Sequence, residues 1–138
     1  MPGRDDDIRA VPGPRARPAA SQLRGQQAED AASERLRRAG LRILRRNYRV
    51  RGGEVDIVAR DGDVLVFVEV RCRHHAGWGG AAASVDTRKR ARIVLAARHY
   101  LACHEGARTP SGCRFDVVAI DGARMRWIRD AFDALGRA

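Results

Sequence analysis

Lysine is nearly absent from this 138-residue chain: Lys89 stands alone, and every other residue of the 27 lysines and arginines is arginine. Such a bias reflects coding composition, so an arginine found where a lysine is expected needs its own explanation. Cysteine is also scarce. Cys72, Cys103 and Cys113 are odd in number and show no CxxC spacing, which excludes a disulfide framework and a structural zinc site. No run approaches the roughly 20 apolar residues that cross a bilayer, and no charged-apolar-small signal opens the chain. A cytoplasmic protein without a membrane partner is expected.

What the chain has in excess is positive charge. Seventeen acidic residues against 27 basic ones leave a formal charge of +10, and the long-range field attracts polyanions, above all nucleic acid. Acidic small substrates fit less well.

Four of the five prolines, Pro2, Pro12, Pro14 and Pro18, fall in residues 1–20, so this stretch reads as a disordered basic leader before a single domain at 21–138. From about Ser21, Ala28, Ala32, Leu36 and Ala39 recur at helical spacing, and Gly40 supplies the stop. Strands are expected over Leu41–Val50, Val55–Ala59 and the apolar run Val64–Val70, with Asp61-Gly62-Asp63 turning the hairpin. After a Gly77-Trp78-Gly79-Gly80 loop, Ser84 or Asp86 caps a second helix to about Cys103. Strands at Cys113–Ile120 and Met125–Ile128 follow, and Ala131–Leu135 is expected to add a helical turn. The order αβββαββ predicts an α/β fold, a mixed sheet flanked by helices.

Within the second hairpin lie Asp56 and, in an otherwise apolar strand, Glu69, with Arg71 two residues on and on the same face. Charges in a central strand are costly unless paired or metal-bound. Two carboxylates on neighbouring strands suit Mg²⁺, a hard cation that retains water and phosphate oxygens as other ligands. The competing explanation is a structural ion pair with Arg71 or another arginine.

Read in order, several short motifs carry a family resemblance: Gly25 with Glu29, Asn47, the GEVD box at Gly53–Asp56, FVEVR at Phe67–Arg71, GGAAASV at Gly79–Val85, Lys89, and RFDVVA at Arg114–Ala119. Together they resemble the YraN family of uncharacterised bacterial proteins. That family looks like the PD-(D/E)xK restriction-endonuclease-like superfamily and is similar in motif order to archaeal Holliday junction resolvases. The resemblance covers about Gly25 to Phe132. It implies a restriction-endonuclease-like αβββαβ core, Asp56 and Glu69 as ligands of Mg²⁺ or Mn²⁺, and Glu29 as a third acid at the edge of the site. It also implies a metal-dependent endonuclease acting on DNA rather than RNA, with branched or flapped DNA as the preferred form. Resolving a symmetric junction would require two active sites, which leaves a homodimer open. Arg71 departs from the lysine of (D/E)xK: it can clamp phosphate but does not serve as a base. Lys89, on the apolar stripe between Val85 and Ile93, is the candidate for the missing lysine.

Each of these residues has a plainer explanation. Glu29 could be a solvated helix residue, Lys89 a snorkelling surface lysine, and Glu54 solvated or held by an arginine. Asp116 is expected to pair with Arg114 or a helix residue, and Trp127 to pack. His74-His75 could ligate a soft metal or contact nucleic acid, and Trp78 could stack on a base. At the level of function, the alternatives to an endonuclease are a catalytically inactive nucleic-acid-binding module and an adaptor with the same fold.

Overall fold

The structure, a computed structural model, describes residues 20–73, 80–104 and 112–138. The expected leader, His74-His75, Trp78 and the Thr109-Pro110-Ser111 connection lie outside the described residues.

Helix α1 spans Ala20–Arg38. Ala28, Ala32 and Leu36, each one turn apart, are buried against the sheet. Its last carbonyls are satisfied within the turn: Gly40 N donates to Arg37 O at 2.9 Å and Leu41 N to Leu36 O at 3.1 Å. Gly40 takes φ 96°, which glycine adopts without a Cβ penalty. Leu41 then packs with Leu36 in one cluster and fixes the angle at which the chain enters the sheet.

Five strands follow, β1 Arg42–Val50, β2 Gly53–Asp61, β3 Val64–Arg73, β4 Gly112–Asp121 and β5 Arg124–Phe132. They lie in sequence order across one sheet. Neighbours are antiparallel except β3 and β4, which are parallel. Parallel neighbours need a crossover, and helix α2, Thr87–His104, lies between them in the chain. The helix starts at Asp86, whose Oδ1 accepts the Lys89 amide at 2.9 Å. Ser84, the other expected cap, belongs instead to the short 3-10 turn Ala82–Ser84.

Each helix covers one face. Under α2, Phe67, Phe115 and Val117 pack with Ile93, Ala96 and Tyr100. Under α1, Ile57, Val66, Val68 and Val118 meet Ala32 and Leu36. Burial on both faces explains why β3 reads as a continuous apolar run. Gly53 lets β2 press against α2: a Cβ there would lie 2.6 Å from Arg92 O. The edges differ from the centre. Arg42, Arg45 and Arg49 on β1, and Arg124, Arg126 and Arg129 on β5, are exposed.

The C-terminus corrects one expectation. In place of a helical turn at Ala131–Leu135, β5 continues to Phe132, which pairs with Phe115. A tight turn follows, with Gly136 N donating to Asp133 O at 2.8 Å and the Asp133 carboxylate accepting the Leu135 and Arg137 amides. The longer strand depends on a bulge. Asp130 adopts φ 54°, and its amide donates to buried Asp116 at 3.0 Å.

Candidate active site

Asp56 stands where the alternation of β2 breaks. Val55 joins the α2-side cluster and Ile57 the α1-side cluster, although residues two apart on an ideal strand share a face. The origin lies in the facing strand. Between the pairs Arg46–Ile57 and Tyr48–Val55 sits Asn47 with φ 54°, opposite Asp56. This local reversal lets Asp56 line a depression that α1 and α2 both border.

Glu69 reaches the same place from β3. The β2–β3 ladder ends at Ile57–Val68, and Asp56 and Glu69 are the next positions on the two strands. There the Asp56 carboxylate takes over the strand's role and accepts the Val70 amide at 2.8 Å. Glu69 is 1% exposed. Its Oε2 lies 3.4 Å from Lys89 Nζ and 3.7 Å from an Arg71 guanidinium nitrogen. Its Oε1 is buried with no hydrogen-bond partner among the described residues.

The depression holds about 390 Å³ and is lined by Glu29, Glu54, Asp56, Glu69, Arg71 and Lys89 among others. All five expected site residues, Glu29, Asp56, Glu69, Arg71 and Lys89, therefore border one space. They are not equally free. One Glu29 oxygen accepts Arg46 at 3.1 Å and Asn47 Nδ2 at 3.1 Å. Glu54 sits 3.4 Å from Arg92, the arginine contact considered for it. Asp116 lies elsewhere, accepting Arg114 at 3.1 Å and Trp127 Nε1 at 2.9 Å.

The electrostatics follow from burial. Desolvation, then the Asp56 charge, push the Glu69 carboxyl up to about 8, against the pull of Lys89 and Arg71. Burial also raises Asp56, with the Val70 amide opposing, and raises Glu29, with Asp56 adding to it. Negative charge is thus under-compensated around the depression, even with Lys89 at its wall.

These residues fit a hard divalent cation. Asp56 and Glu69 offer carboxylate oxygens from adjacent strands, and Glu69 Oε1 is an acceptor without a donor. Among the described residues no three or more His, Cys, Asp or Glu side chains converge as a complete shell. A two-carboxylate site is in keeping with Mg²⁺, which fills its remaining positions with water and phosphate.

A chain of contacts that sequence reasoning did not place holds Arg71. Its Nε donates to Ser84 Oγ at 2.7 Å, and Ser84 donates to Ala81 O at 2.6 Å. The Ala81 amide in turn donates to Asp121 Oδ1 at 2.7 Å. Gly80, at φ 68°, leaves room for that carboxylate, which a Cβ would approach to 3.1 Å. The GGAAASV motif was the available signal, but nothing in it points across to β4. Arg46 was also missed, since one more arginine in a strand of arginines carries no distinguishing mark.

The element order αβββαβ with this mixed sheet, and the acid pair at the β2–β3 junction, define an α/β protein with a restriction-endonuclease-like core. The chain belongs to the uncharacterised protein family UPF0102, whose sequence description matches residues 28–120 and which is the same family as YraN. It is 58% identical over 114 residues to a UPF0102 protein of Cupriavidus taiwanensis, covering 82% of this chain and 85% of the relative. A UPF0102 protein of Dechloromonas aromatica is 53% identical over 111 residues, 80% of this chain and 89% of the relative. One from Xanthomonas campestris is 55% identical over 117 residues, 83% and 95%. No helix among the described residues is long and apolar enough to cross a membrane.

Proposed function

We propose that this protein is a Mg²⁺- or Mn²⁺-dependent endonuclease that hydrolyses phosphodiester bonds of DNA in the cytoplasm, with branched or flapped DNA as substrate. The observation that carries the reading is the convergence of Asp56 and Glu69, the latter buried with one oxygen unpartnered, on a depression that also holds Lys89 and Arg71.

Asp56 and Glu69 would hold the ion, which when bound supplies Lewis-acid polarisation of the scissile phosphate and lowers the pKa of a water. Lys89, 3.4 Å from Glu69, holds a proton at Nζ beside the reacting phosphate and fills the role of the lysine that Arg71 replaces. Arg71, tied by its Nε to Ser84, presents its remaining guanidinium nitrogens to phosphoryl oxygens, a charge clamp that needs no proton transfer. Burial of Glu69 and partial burial of Asp56 limit the screening of these charges by bulk water.

The test sets purified protein against linear, flapped and four-way DNA with EDTA, Mg²⁺ or Mn²⁺, beside Asp56→Ala and Glu69→Gln. Metal-dependent cutting lost in both variants is expected. A second readout avoids activity: Mn²⁺ should raise the melting temperature of the wild type and not of Asp56→Ala. Equal cutting by wild type and variants would point to a contaminant and remove the catalytic claim. Salt-sensitive binding with no cutting would leave the inactive binding module.

A further inference from the structure

The acid-lined depression continues beyond its own walls. A second depression of about 280 Å³ adjoins it, and Arg24, Ala28, Cys72 and Arg73 line both. Their charge balance differs. In the first, four acids face Arg71 and Lys89 together with the shared Arg24 and Arg73, whereas the second is lined by those two arginines and by no acid. Its remaining wall is largely apolar, with Ala31 and Ile120 beside Ala28.

Several arginines at the site and elsewhere on the sheet already have a carboxylate. Arg46 holds Glu29 and Asp30, Arg92 holds Glu54, and Arg114 holds Asp61 and Asp116. The side chains of Arg24 and Arg73 are exposed and meet no carboxylate among the described residues. Both project from fixed backbone. Arg73 pairs with Asp121 across the parallel ladder, and its carbonyl accepts the Gly122 amide at 2.9 Å. Arg24 lies one helical turn before buried Ala28. Both depressions therefore open at the carboxyl end of the parallel pair β3 and β4, where open α/β sheets bind ligands.

We propose that Arg24 and Arg73 form a phosphate subsite beside the carboxylate centre. A nucleic-acid strand with its scissile phosphate at Asp56 and Glu69 sets the neighbouring phosphate between the two guanidinia and its sugar over Ala28, Ala31 and Ile120. Guanidinium forks match phosphate oxygens, and two cations at one boundary, neither in contact with a carboxylate among the described residues, create an anion site that the acid-lined part of the first depression lacks. The inference rests on the endonuclease reading for the identity of the strand.

The experiment measures binding of the full chain to fluorescein-labelled single-stranded oligothymidylate DNA in EDTA, by anisotropy, over about 50 to about 300 mM NaCl. Arg24→Ala, Arg73→Ala and the double variant are compared with Arg42→Ala, on the far edge strand, and with the corresponding lysine variants. Loss of one phosphate contact lowers the slope of log K against log salt by about 0.7. Each single variant should show about that change and the double variant about twice it. Arg42→Ala should keep the wild-type slope, and lysine should restore it at 24 and 73. A double variant with the wild-type slope, or an equal loss in Arg42→Ala, overturns the subsite. If wild type cuts DNA while the double variant binds and cuts as wild type does, the subsite falls alone. If the slopes change as expected and wild type never cuts, the subsite stands and the endonuclease reading falls.

Discussion

Lys89 Nζ lies 3.4 Å from Glu69 Oε2, although one residue belongs to the first turn of α2 and the other to the centre of β3. Asp86 makes this reach possible by capping the helix through the Lys89 amide itself. The only lysine in the chain is thereby fixed over the one fully buried glutamate among the described residues.

If Lys89 performs a proton-handling role, charge alone will not replace it. Lys89→Ala should lower the rate of metal-dependent DNA cutting by about 100-fold or more. Lys89→Arg should remain impaired because a guanidinium does not give up its proton. Arg71→Lys should keep activity. Initial rates on flapped DNA provide the measurement, and wild-type rates in Lys89→Arg would reduce Lys89 to a fixed charge.

Glu69 links stability to pH. Its carboxyl is raised from 4.5 to about 8, so across that window the unfolded chain has lost a proton that the folded chain retains. Stability contributed by this group is therefore lost as pH rises and is fully lost above about 8. Complete conversion of the shift sets a ceiling of about 5 kcal/mol. Glu69→Gln should flatten the dependence and gain over the wild type at alkaline pH. Urea midpoints at about pH 5 and about pH 9 would register it. Parallel curves for the two proteins would contradict the expectation.

Ser84 should matter through Arg71. Removing its hydroxyl frees Arg71 Nε and leaves Ala81 O without that donor, at a cost of about 1 kcal/mol in stability. Cutting should fall about tenfold, a loss of roughly 1.4 kcal/mol in transition-state stabilisation. Ser84→Thr, which keeps the oxygen, should recover most of it. Were Arg71→Ala to abolish cutting while Ser84→Ala left it untouched, the tie would have no functional consequence.

Asp116, fully buried, accepts Arg114, Trp127 and the Asp130 amide. Asp116→Ala leaves Arg114 with Asp61 alone, takes the acceptor from Trp127 Nε1 and frees the bulge of β5, with an expected loss of about 2–4 kcal/mol. Chemical denaturation would show it, together with faster amide exchange at Asp130. A loss below about 1 kcal/mol would mean that solvent satisfies these groups.

Periodicity was sufficient for both helices and for β3 and β4, because the apolar residues there face a core and their spacing records that geometry. It was insufficient at β5, where Asp130 at φ 54° adds a bulge that an alternating pattern does not encode. The acids Asp56 and Glu69 stood out because charge is costly in a buried strand. What brings them together did not stand out. Asn47 was among the residues that carry the resemblance, but nothing in the sequence revealed its role: its left-handed backbone lies opposite Asp56, where β2 changes faces. Asp121 and Arg46 act across elements distant in sequence, so no local pattern could select them, and the motif that contains Ser84 does not reveal its partner Arg71. The pairing of Arg114 with Asp116 was legible because two residues apart on a strand share a face.

The arginines along β1 and β5 have a consequence for how copies of this protein meet. An open sheet edge is a template for another strand. At either margin, a second copy would bring exposed guanidinium groups near one another, so extension of one sheet into the next is opposed by their repulsion. Added salt relaxes that opposition, and a polyanion lying along the margins reverses it. Concentrated protein would therefore stay dispersed at low ionic strength.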